Sequence, residues 1–123
     1  MTHQITHSYQ DGVLYFTAAK GLNTPESLPE WDQLHIISHE HEAKRILIEF
    51  KACGRISMTH CFDLIERFPF LCQRLTCKIA LFEQHMCEEA RDLLKFVETA
   101  ATDRGAHIKL FGDLEEAKLW LGK

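Results

Sequence analysis

Apolar residues recur along this chain in two rhythms, one of alternate positions and one of every third or fourth position. Short apolar or alternating runs predict β-strands, whereas apolar residues at helical spacing predict α-helices. The predicted strands cover residues 5–9, 13–18, 44–51, 77–82 and 107–111. The predicted helices cover a segment from Ser27 to about His39, a segment beginning at Ser57, residues 88–104 and a closing segment beginning at Asp113.

Turn-forming and capping residues separate the first elements. Asp11-Gly12 between two apolar runs predicts a β-hairpin, because glycine accepts the positive φ that such a turn requires. Ser27 and Glu30 fit a capping box, in which each side chain binds a backbone N–H of the first helical turn. The first helix is therefore predicted to begin at Ser27.

The later helices also carry start and stop signals. Pro69 is predicted to break the helix that begins at Ser57, since proline has no backbone N–H to donate. Residues 70–75 fit either a short helical turn or a loop. Gly105 fits a left-handed cap after the long third helix, and Asp113 and Glu116 fit caps of the last one. The predicted apolar face of the second helix consists of Met58, Cys61, Phe62, Ile65 and Phe68.

This order of elements defines a fold class. Strands joined by helical crossovers are expected to pair in parallel, with right-handed connections, whereas the first two strands form an antiparallel hairpin. The predicted fold is α/β, a mixed sheet of about five strands with helices packed on it. We expect residues 1–123 to form a single domain.

Composition and charge restrict the functional classes. The formal net charge is −4 and no basic stripe is evident, so nucleic-acid binding lacks its electrostatic signature. The apolar runs are too short for a membrane span, and the first residues do not resemble a secretory signal. The five cysteines are irregularly spaced without a Cys-x-x-Cys pair, which favours a reduced, cytoplasmic protein.

Residues 96–121 have the most specific pattern in the chain. A helix is stopped by Asp103-Arg104-Gly105, a short strand follows at His107–Phe111, and a capped helix ends with Trp120-Leu121. This pattern resembles the C-terminal part of the small SpoIIAA-like, STAS-like bacterial domains. The resemblance implies a role in protein–protein regulation or ligand sensing rather than catalysis, without a cofactor. The fold group is also similar to lipid-binding domains of the Sec14 kind.

The same resemblance identifies candidate partner or modification positions. In anti-sigma factor antagonists the switch is a serine within Asp-Ser-Ser-Gly, at the start of the helix after the central strand. The matching segment here is Gly54–Thr59, so Ser57 and Thr59 are the candidates, with Cys53 beside them. The aspartate, the paired serine and the following glycine are absent from this segment. An ordinary helix N-cap explains Ser57 better than a switch does, because serine is preferred at N-caps for purely local reasons.

Two further groups of residues allow other chemistry. His35 and His39 stand one helical turn apart and form a weak metal-site alternative to an ordinary solvated face. Cys53 follows a predicted buried strand, where α/β folds place their sites, whereas Cys72 and Cys77 are more simply small core residues. The three phenylalanines of the second helix region would contact a small apolar or acyl ligand, or else lie in the core; they are Phe62, Phe68 and Phe70.

Three functional classes follow from the sequence. The leading one is a non-enzymatic regulatory or interaction module that binds a protein partner through Cys53, Ser57, Thr59 and the neighbouring helices. The second is a binder of a small apolar or acyl ligand. The third is a small enzyme that uses Cys53 or the histidines. A homodimer is a further expectation, because an edge strand or an exposed aromatic patch pairs readily.

Overall fold

Five strands and four helices follow one another in the predicted order in the part of the chain that the structure describes. The computed structural model describes residues 5–18, 28–50, 58–82 and 88–122. The strands are β1 (Ile5–Gln10), β2 (Val13–Ala18), β3 (Arg45–Phe50), β4 (Lys78–Phe82) and β5 (Ile108–Phe111). The helices are α1 (Leu28–His41), α2 (Met58–Leu75), α3 (Glu88–Asp103) and α4 (Leu114–Leu121). The predicted α/β class is confirmed.

The hairpin between β1 and β2 turns at the two predicted residues. Both Asp11 (φ 55°) and Gly12 (φ 79°) lie in the left-handed region. Positive φ at both central residues is what a two-residue hairpin requires, because it matches the twist of the strands. The antiparallel register then places Gln10 opposite Val13 and Ile5 opposite Ala18.

The five strands form one mixed sheet in the order β1-β2-β3-β4-β5. All pairs after the hairpin are parallel, as expected for strands joined by helices. The registers align Leu14, Ile46, Ile79 and Ile108 in one row across β2 to β5, and all four are buried. A one-residue slip would turn every member of this row to the opposite face, so the row fixes the register.

The two faces of the sheet carry different helices. One face packs against apolar residues of α1, α2 and α3, among them Leu34, Phe68 and Leu94. The other face, through Leu47, Ala80 and Phe111, packs against Ala117 and Leu121 of α4. Side chains alternate between the faces along each strand, which is why β3 and β4 contribute to both clusters.

Helix α2 does not end at Pro69, so that prediction was wrong. The helix runs to Leu75, and the buried Pro69 lies inside it. Proline removes one hydrogen bond, the one that the carbonyl of Ile65 would accept, and it restricts the residue before it. Burial of Phe68, Leu71 and Leu75 on both sides of Pro69 offsets this cost.

The caps differ from expectation at one described site. Asp113 has the extended backbone of an N-cap residue, φ −131° and ψ 126°, but its side chain makes no capping hydrogen bond. Its carbonyl instead accepts the N–H of Ala117 at 3.1 Å. The predicted capping box at Ser27 and Glu30 lies outside the residues whose side chains the structure describes. The first helix continues to His41, slightly beyond its predicted end.

None of the helices in the described ranges has both the length and the apolar character needed to cross a bilayer. This agrees with the absence of a membrane span from the sequence prediction. The single-domain prediction for residues 1–123 and the predicted homodimer stay predictions.

Candidate functional site

The predicted switch positions lie where β3 leads into α2. Ser57 and Cys53 fall in residues 51–57, outside the described part of the chain. Helix α2 begins at Met58, so Thr59 is in its first turn, although its side chain is also outside the description. The observed helix start agrees with the predicted position of Ser57 immediately before it. The modification role of these residues stays a prediction.

The first turn of α2 favours negative charge. It contains no acidic residue. The free N–H groups of a first turn and the helix dipole together carry a partial positive charge, which a phosphate or carboxylate at this end would stabilise. No carboxylate of that turn competes for this charge. The partial positive charge at the start of α2 would therefore stabilise a negatively charged group at Ser57.

Helix α2 has one buried apolar stripe and two further phenylalanines on its exposed side, rather than the single apolar face that the sequence predicts. The inner stripe contacts the sheet and α3, and it consists of Cys61, Leu64, Ile65, Phe68, Leu71, Cys72 and Leu75. Phe62 is 56% exposed, so its predicted place on the inner face was wrong. Successive helical residues point about 100° apart, and Cys61 rather than Phe62 lies in the buried stripe.

We call Phe62, Glu66 and Phe70 the α2 outer stripe. These residues are four apart along the helix and therefore lie on one side of it, and all three are exposed. Phe62 and Phe70 are 56% and 50% exposed. The ring of Phe62 also meets Phe96 of α3 edge-on, with ring centroids 6.3 Å apart and an interplanar angle of 83°. Phe96, itself 41% exposed, widens this apolar surface.

A groove between α1 and α2 borders the outer stripe. It is open to solvent, has a volume of about 650 Å³ and is lined by His35, Ile36, Asp63, Glu66, Arg67 and Phe70. Within it the imidazole of His35 stacks on Phe70, with centroids 5.3 Å apart. The Nε of Arg67 donates to a carboxylate oxygen of Asp63 at 2.6 Å, one helical turn away. The groove is thus apolar at Ile36 and Phe70 and charged along its α2 side.

The paired histidines of α1 do come together. The rings of His35 and His39 have centroids 5.3 Å apart and are tilted by 37°. Among the described residues, no group of three or more His, Cys, Asp or Glu side chains could hold a metal ion. Two imidazoles bind a metal weakly without further ligands. His35 is instead engaged with the aromatic ring of Phe70.

Three cysteines lie in the described core. Burial raises the pKa of the Cys61 thiol, which makes this thiol a poor nucleophile at neutral pH. Cys72 and Cys77 are also buried, as the sequence predicted for them. Cys53, the cysteine favoured for catalysis, lies outside the described residues. The enzyme alternative that uses Cys53 or the histidines stays a prediction.

The lipid-binding alternative rests on three phenylalanines that point in different directions. Phe68 is 1% exposed and packs in the main core with Leu64 and Leu71. Phe62 and Phe70 face outward instead. Phe70 lines the open groove between α1 and α2, whereas Phe62 contacts Phe96 of α3. The acyl-ligand alternative stays a prediction.

Sequence reasoning missed several residues of this surface. Ile36 of α1 is 58% exposed beside the groove, and Phe96 of α3 joins Phe62. The available signal was a surplus of apolar residues: α2 contains more of them than one helical face can bury. Which ones stay outside depends on how the three helices divide the sheet face, and that division is a tertiary property.

The order of elements and the mixed five-stranded sheet place this protein in the α/β class. A comparison of the sequence with protein-family models and with curated proteins gives no match. Among solved structures, the fold is similar to the NMR structure of the protein TM1081, with a TM-score of 0.69 and 13% sequence identity. The match covers 100% of this chain and 92% of that one. At this identity the likeness concerns the fold alone.

Proposed function

We propose that this protein is a non-enzymatic interaction module of the SpoIIAA-like, STAS-like kind. Its partner would be another protein, bound at the α2 outer stripe and the segment that enters α2. The single observation that carries the proposal is the outward position of Phe62 and Phe70 on α2. Clustered exposed apolar side chains mark interaction sites more often than scattered ones do.

The proposal joins two parts of the same helix. Phe62 is one turn beyond Thr59, so a modification at Ser57 or Thr59 would lie within reach of a partner seated on the outer stripe. A phosphate there adds nearly two negative charges and three acceptor oxygens. It would favour or repel the partner according to the charge that the partner presents. This coupling is the physical basis of a regulated module.

The test measures the partner affinity of matched variants. The wild-type protein is immobilised and exposed to extract of its own host, and each retained protein is then purified and titrated by calorimetry. We expect Phe62→Ala to weaken a genuine partner by roughly 30-fold, the effect of losing about 2 kcal/mol at an interface hot spot. The double change of Ser57 and Thr59 to aspartate should shift the affinity away from that of the double alanine variant.

Leu119→Ala is the matched control. Leu119 is 68% exposed on α4, which packs on the opposite face of the sheet, so its truncation removes a surface apolar side chain without touching α2. The Leu119→Ala variant should bind each partner with the same affinity as the wild type. The proposal is overturned if every purified partner binds Phe62→Ala and both double variants as tightly as it binds the control.

A further inference from the structure

Two buried cysteines touch each other at the end of α2. The Sγ of Cys77 lies 3.8 Å from the Sγ of Cys72. The two residues are 3% and 5% exposed, respectively. A disulfide has a sulfur–sulfur distance of about 2.05 Å, so the two sulfurs need to approach by only about 1.8 Å. Each is a free thiol in the structure.

The chain reversal after α2 produces this contact. The N–H of Thr76 donates to the carbonyl of Cys72 at 2.7 Å, and Thr76 has a φ of 55°. This is the single-bond left-handed cap of a helix, which turns the chain sharply out of the helical direction. The next residue, Cys77, is thereby folded back beside Cys72. The contact is thus built into the junction between α2 and β4.

We propose that Cys72 and Cys77 form an oxidisable dithiol, a modification site at which a hydroperoxide is reduced and an intramolecular disulfide is formed. This site is independent of the interaction surface described above. It lies at the end of α2 remote from Ser57, and neither cysteine belongs to the outer stripe.

The chemistry proceeds in two balanced steps. The thiolate of Cys72 attacks one peroxide oxygen, the O–O bond breaks, and Cys72 becomes a sulfenic acid while hydroxide or alkoxide leaves. The sulfur of Cys77 then attacks the sulfur of the sulfenic acid, the S–S bond forms and the S–O bond breaks. The departing hydroxide takes the Cys77 proton and leaves as water. The two thiols lose two electrons, and the peroxide gains them.

The surroundings assign different roles to the two sulfurs. Cys77 is the hydrogen-bond donor in the pair, and this bond, helped by the backbone N–H of His107 and opposed by burial, lowers the pKa of Cys72. The same bond, together with burial, raises the pKa of Cys77. Cys72, the acceptor of this hydrogen bond, is therefore the sulfur assigned to attack the peroxide, since the thiolate is the reactive form. Cys77 keeps its proton until the second step.

Access to the pair is through the last turn of α2. Gln73, Arg74 and Thr76 around it are all exposed, so a short local opening at this helix end uncovers the sulfurs. Helix ends open at a lower free energy than the core does. We therefore expect oxidation to be slower than that of a surface thiol but to stop at the disulfide, because the second sulfur is already in contact.

Trypsin distinguishes every pairing in this chain. Cleavage after lysine and arginine places the five cysteines in five separate peptides, residues 52–55, 56–67, 68–74, 75–78 and 79–91. The full-length reduced protein is treated with hydrogen peroxide, its remaining thiols are blocked with an alkylating agent, and its peptides are mapped. We expect a cross-link between peptides 68–74 and 75–78. The intact mass, measured before alkylation, should be lower than that of the reduced protein by two hydrogen atoms.

Three single variants test the assigned roles. Cys77→Ser should leave Cys72 as a sulfenic acid that dimedone traps, whereas Cys72→Ser should give no dimedone adduct on Cys77. Cys61→Ser, another buried cysteine of α2, is the control and should form the cross-link at the wild-type rate. Circular dichroism before oxidation checks that each variant is folded.

The wild-type peptide map alone can overturn the proposal, whatever the variants do. A dominant cross-link involving peptides 52–55, 56–67 or 79–91 would contradict it. So would a map in which Cys72 and Cys77 remain reduced after the other cysteines have reacted, or in which Cys72 is converted to sulfinic or sulfonic acid without a cross-link to Cys77.

Discussion

A residue with a left-handed backbone follows each of three helices within two residues of its end. These residues are Glu42 (φ 48°) after α1, Thr76 (φ 55°) after α2 and Gly105 (φ 103°) after α3. After α1, the N–H of Ala43 donates to the carbonyl of Ser38 and that of Glu42 to His39. These are the paired bonds of a Schellman motif, which satisfies carbonyls that a helix end otherwise leaves open.

The left-handed residue after α3 has the same pair of bonds. The N–H of Ala106 donates to Ala101, and that of Gly105 donates to Thr102. Ala43 and Ala106, which follow the left-handed residues, are both buried, as the motif prefers. Only one of these two motifs, however, has glycine at its left-handed position. The other holds glutamate there, at a conformational cost of roughly 1–2 kcal/mol for a residue with a Cβ.

This contrast gives opposite predictions for two substitutions. Glu42→Gly should raise the free energy of unfolding by about 1 kcal/mol, because relief of the left-handed strain exceeds the extra chain entropy of glycine. Gly105→Ala should lower it by about 1–2 kcal/mol, since alanine must adopt the same strained φ. Its Cβ would also come within 3.3 Å of the Nε2 of Gln73.

Urea denaturation of both variants and the wild type measures these changes. Glu42→Ala serves as the control for loss of the exposed glutamate side chain, since alanine keeps the strain. If Glu42→Gly is no more stable than Glu42→Ala, the left-handed strain is not what limits stability at this turn.

The sequence could predict one of these three caps and not the others. Gly105 is visible as a cap because glycine after a helical pattern is enriched at this position. Glu42 and Thr76 carry no such signal, since glutamate and threonine rarely adopt positive φ. The tertiary structure imposes the conformation on them, through the packing of Ala43 and Cys77 in the core.

At the scale of elements, α2 is the helix whose structure departs most from its sequence pattern. Pro69 interrupts its hydrogen-bond ladder but not its course, and residues 70–75 continue the helix to Leu75. Contacts of its buried residues with α3 and the sheet hold the helix together across the missing hydrogen bond. Such tertiary control is common, because most helical stability in proteins comes from packing of one face.

Pro69→Ala should therefore stabilise the protein. The substitution restores an N–H that can donate to the carbonyl of Ile65, and it removes the steric clash of the ring with the preceding turn. The gain is limited by the loss of a buried apolar ring, so we expect a net increase of about 1–2 kcal/mol in the free energy of unfolding.

Thermal and urea denaturation would show this gain as a higher melting temperature and a higher midpoint. Pro69→Gly is the informative companion, because it also restores the N–H but adds chain entropy in the unfolded state. It should be less stable than Pro69→Ala by about 1 kcal/mol. A loss of stability in Pro69→Ala would mean that packing of the ring outweighs the missing hydrogen bond.

The wrong predictions for the position of Phe62 and for the end of α2 have the same cause, which is that tertiary packing overrides the local sequence pattern. Helical periodicity assigns a residue to a face only within about a third of a turn, and α2 has apolar residues at neighbouring positions 61 and 62. Either position could begin the buried stripe. The choice depends on the rotation of α2 against the sheet and α3, which the local pattern does not specify.

At the scale of the whole molecule, the sheet separates two apolar clusters of unequal size. The larger one is shared by α1, α2 and α3, whereas the smaller one consists of Leu47, Ala80, Phe111, Ala117 and Leu121. Helix α4 is the described helix that covers the second face. It is also held at its end by Lys78, whose Nζ donates to the carbonyl of Trp120 at 3.3 Å.

Truncation of one buried side chain of α4 should lower the stability of the molecule. Leu121 is 1% exposed, and Leu121→Ala is expected to lower the free energy of unfolding by about 2–3 kcal/mol through the lost burial and the cavity left behind. Leu119→Ala, at a 68% exposed position two residues away, should change it by less than about 0.5 kcal/mol.

The titration is made in a Trp31→Phe background, because the chain has two tryptophans and this change leaves Trp120 of α4 as the single fluorescent indole. Fluorescence and far-ultraviolet circular dichroism together then distinguish two outcomes. Coincident curves mean that α4 unfolds together with the rest of the molecule. An earlier fluorescence transition in Leu121→Ala means that α4 detaches first. Equal stability of the Leu121 and Leu119 variants would show that the smaller cluster contributes nothing to the fold.

The fold was largely predictable from the sequence, whereas the candidate surface was not. Strand patterns such as residues 46–50 and the Asp11-Gly12 turn act locally, and local signals are sufficient to give element order and sheet class. The α2 outer stripe is defined by which apolar residues remain uncovered after packing. The contact of Cys72 with Cys77 likewise depends on a left-handed Thr76 that no sequence signal marks.

The strands lie in the sheet in the same order as they occur in the chain, and this has a consequence for synthesis on the ribosome. Each strand of this sheet pairs with the strand made just before it, so no strand has to wait for a distant segment or insert between two existing neighbours. The growing sheet can therefore add one strand at a time at its newest edge as the chain emerges, because chain elongation is slower than local pairing. The smaller cluster is the exception, because its helix α4 follows all five strands in the chain. Until α4 leaves the ribosome, the earlier strand residues that it covers, Leu47 and Ala80, face water. A chain truncated before residue 114 should therefore be one that chaperones recognise.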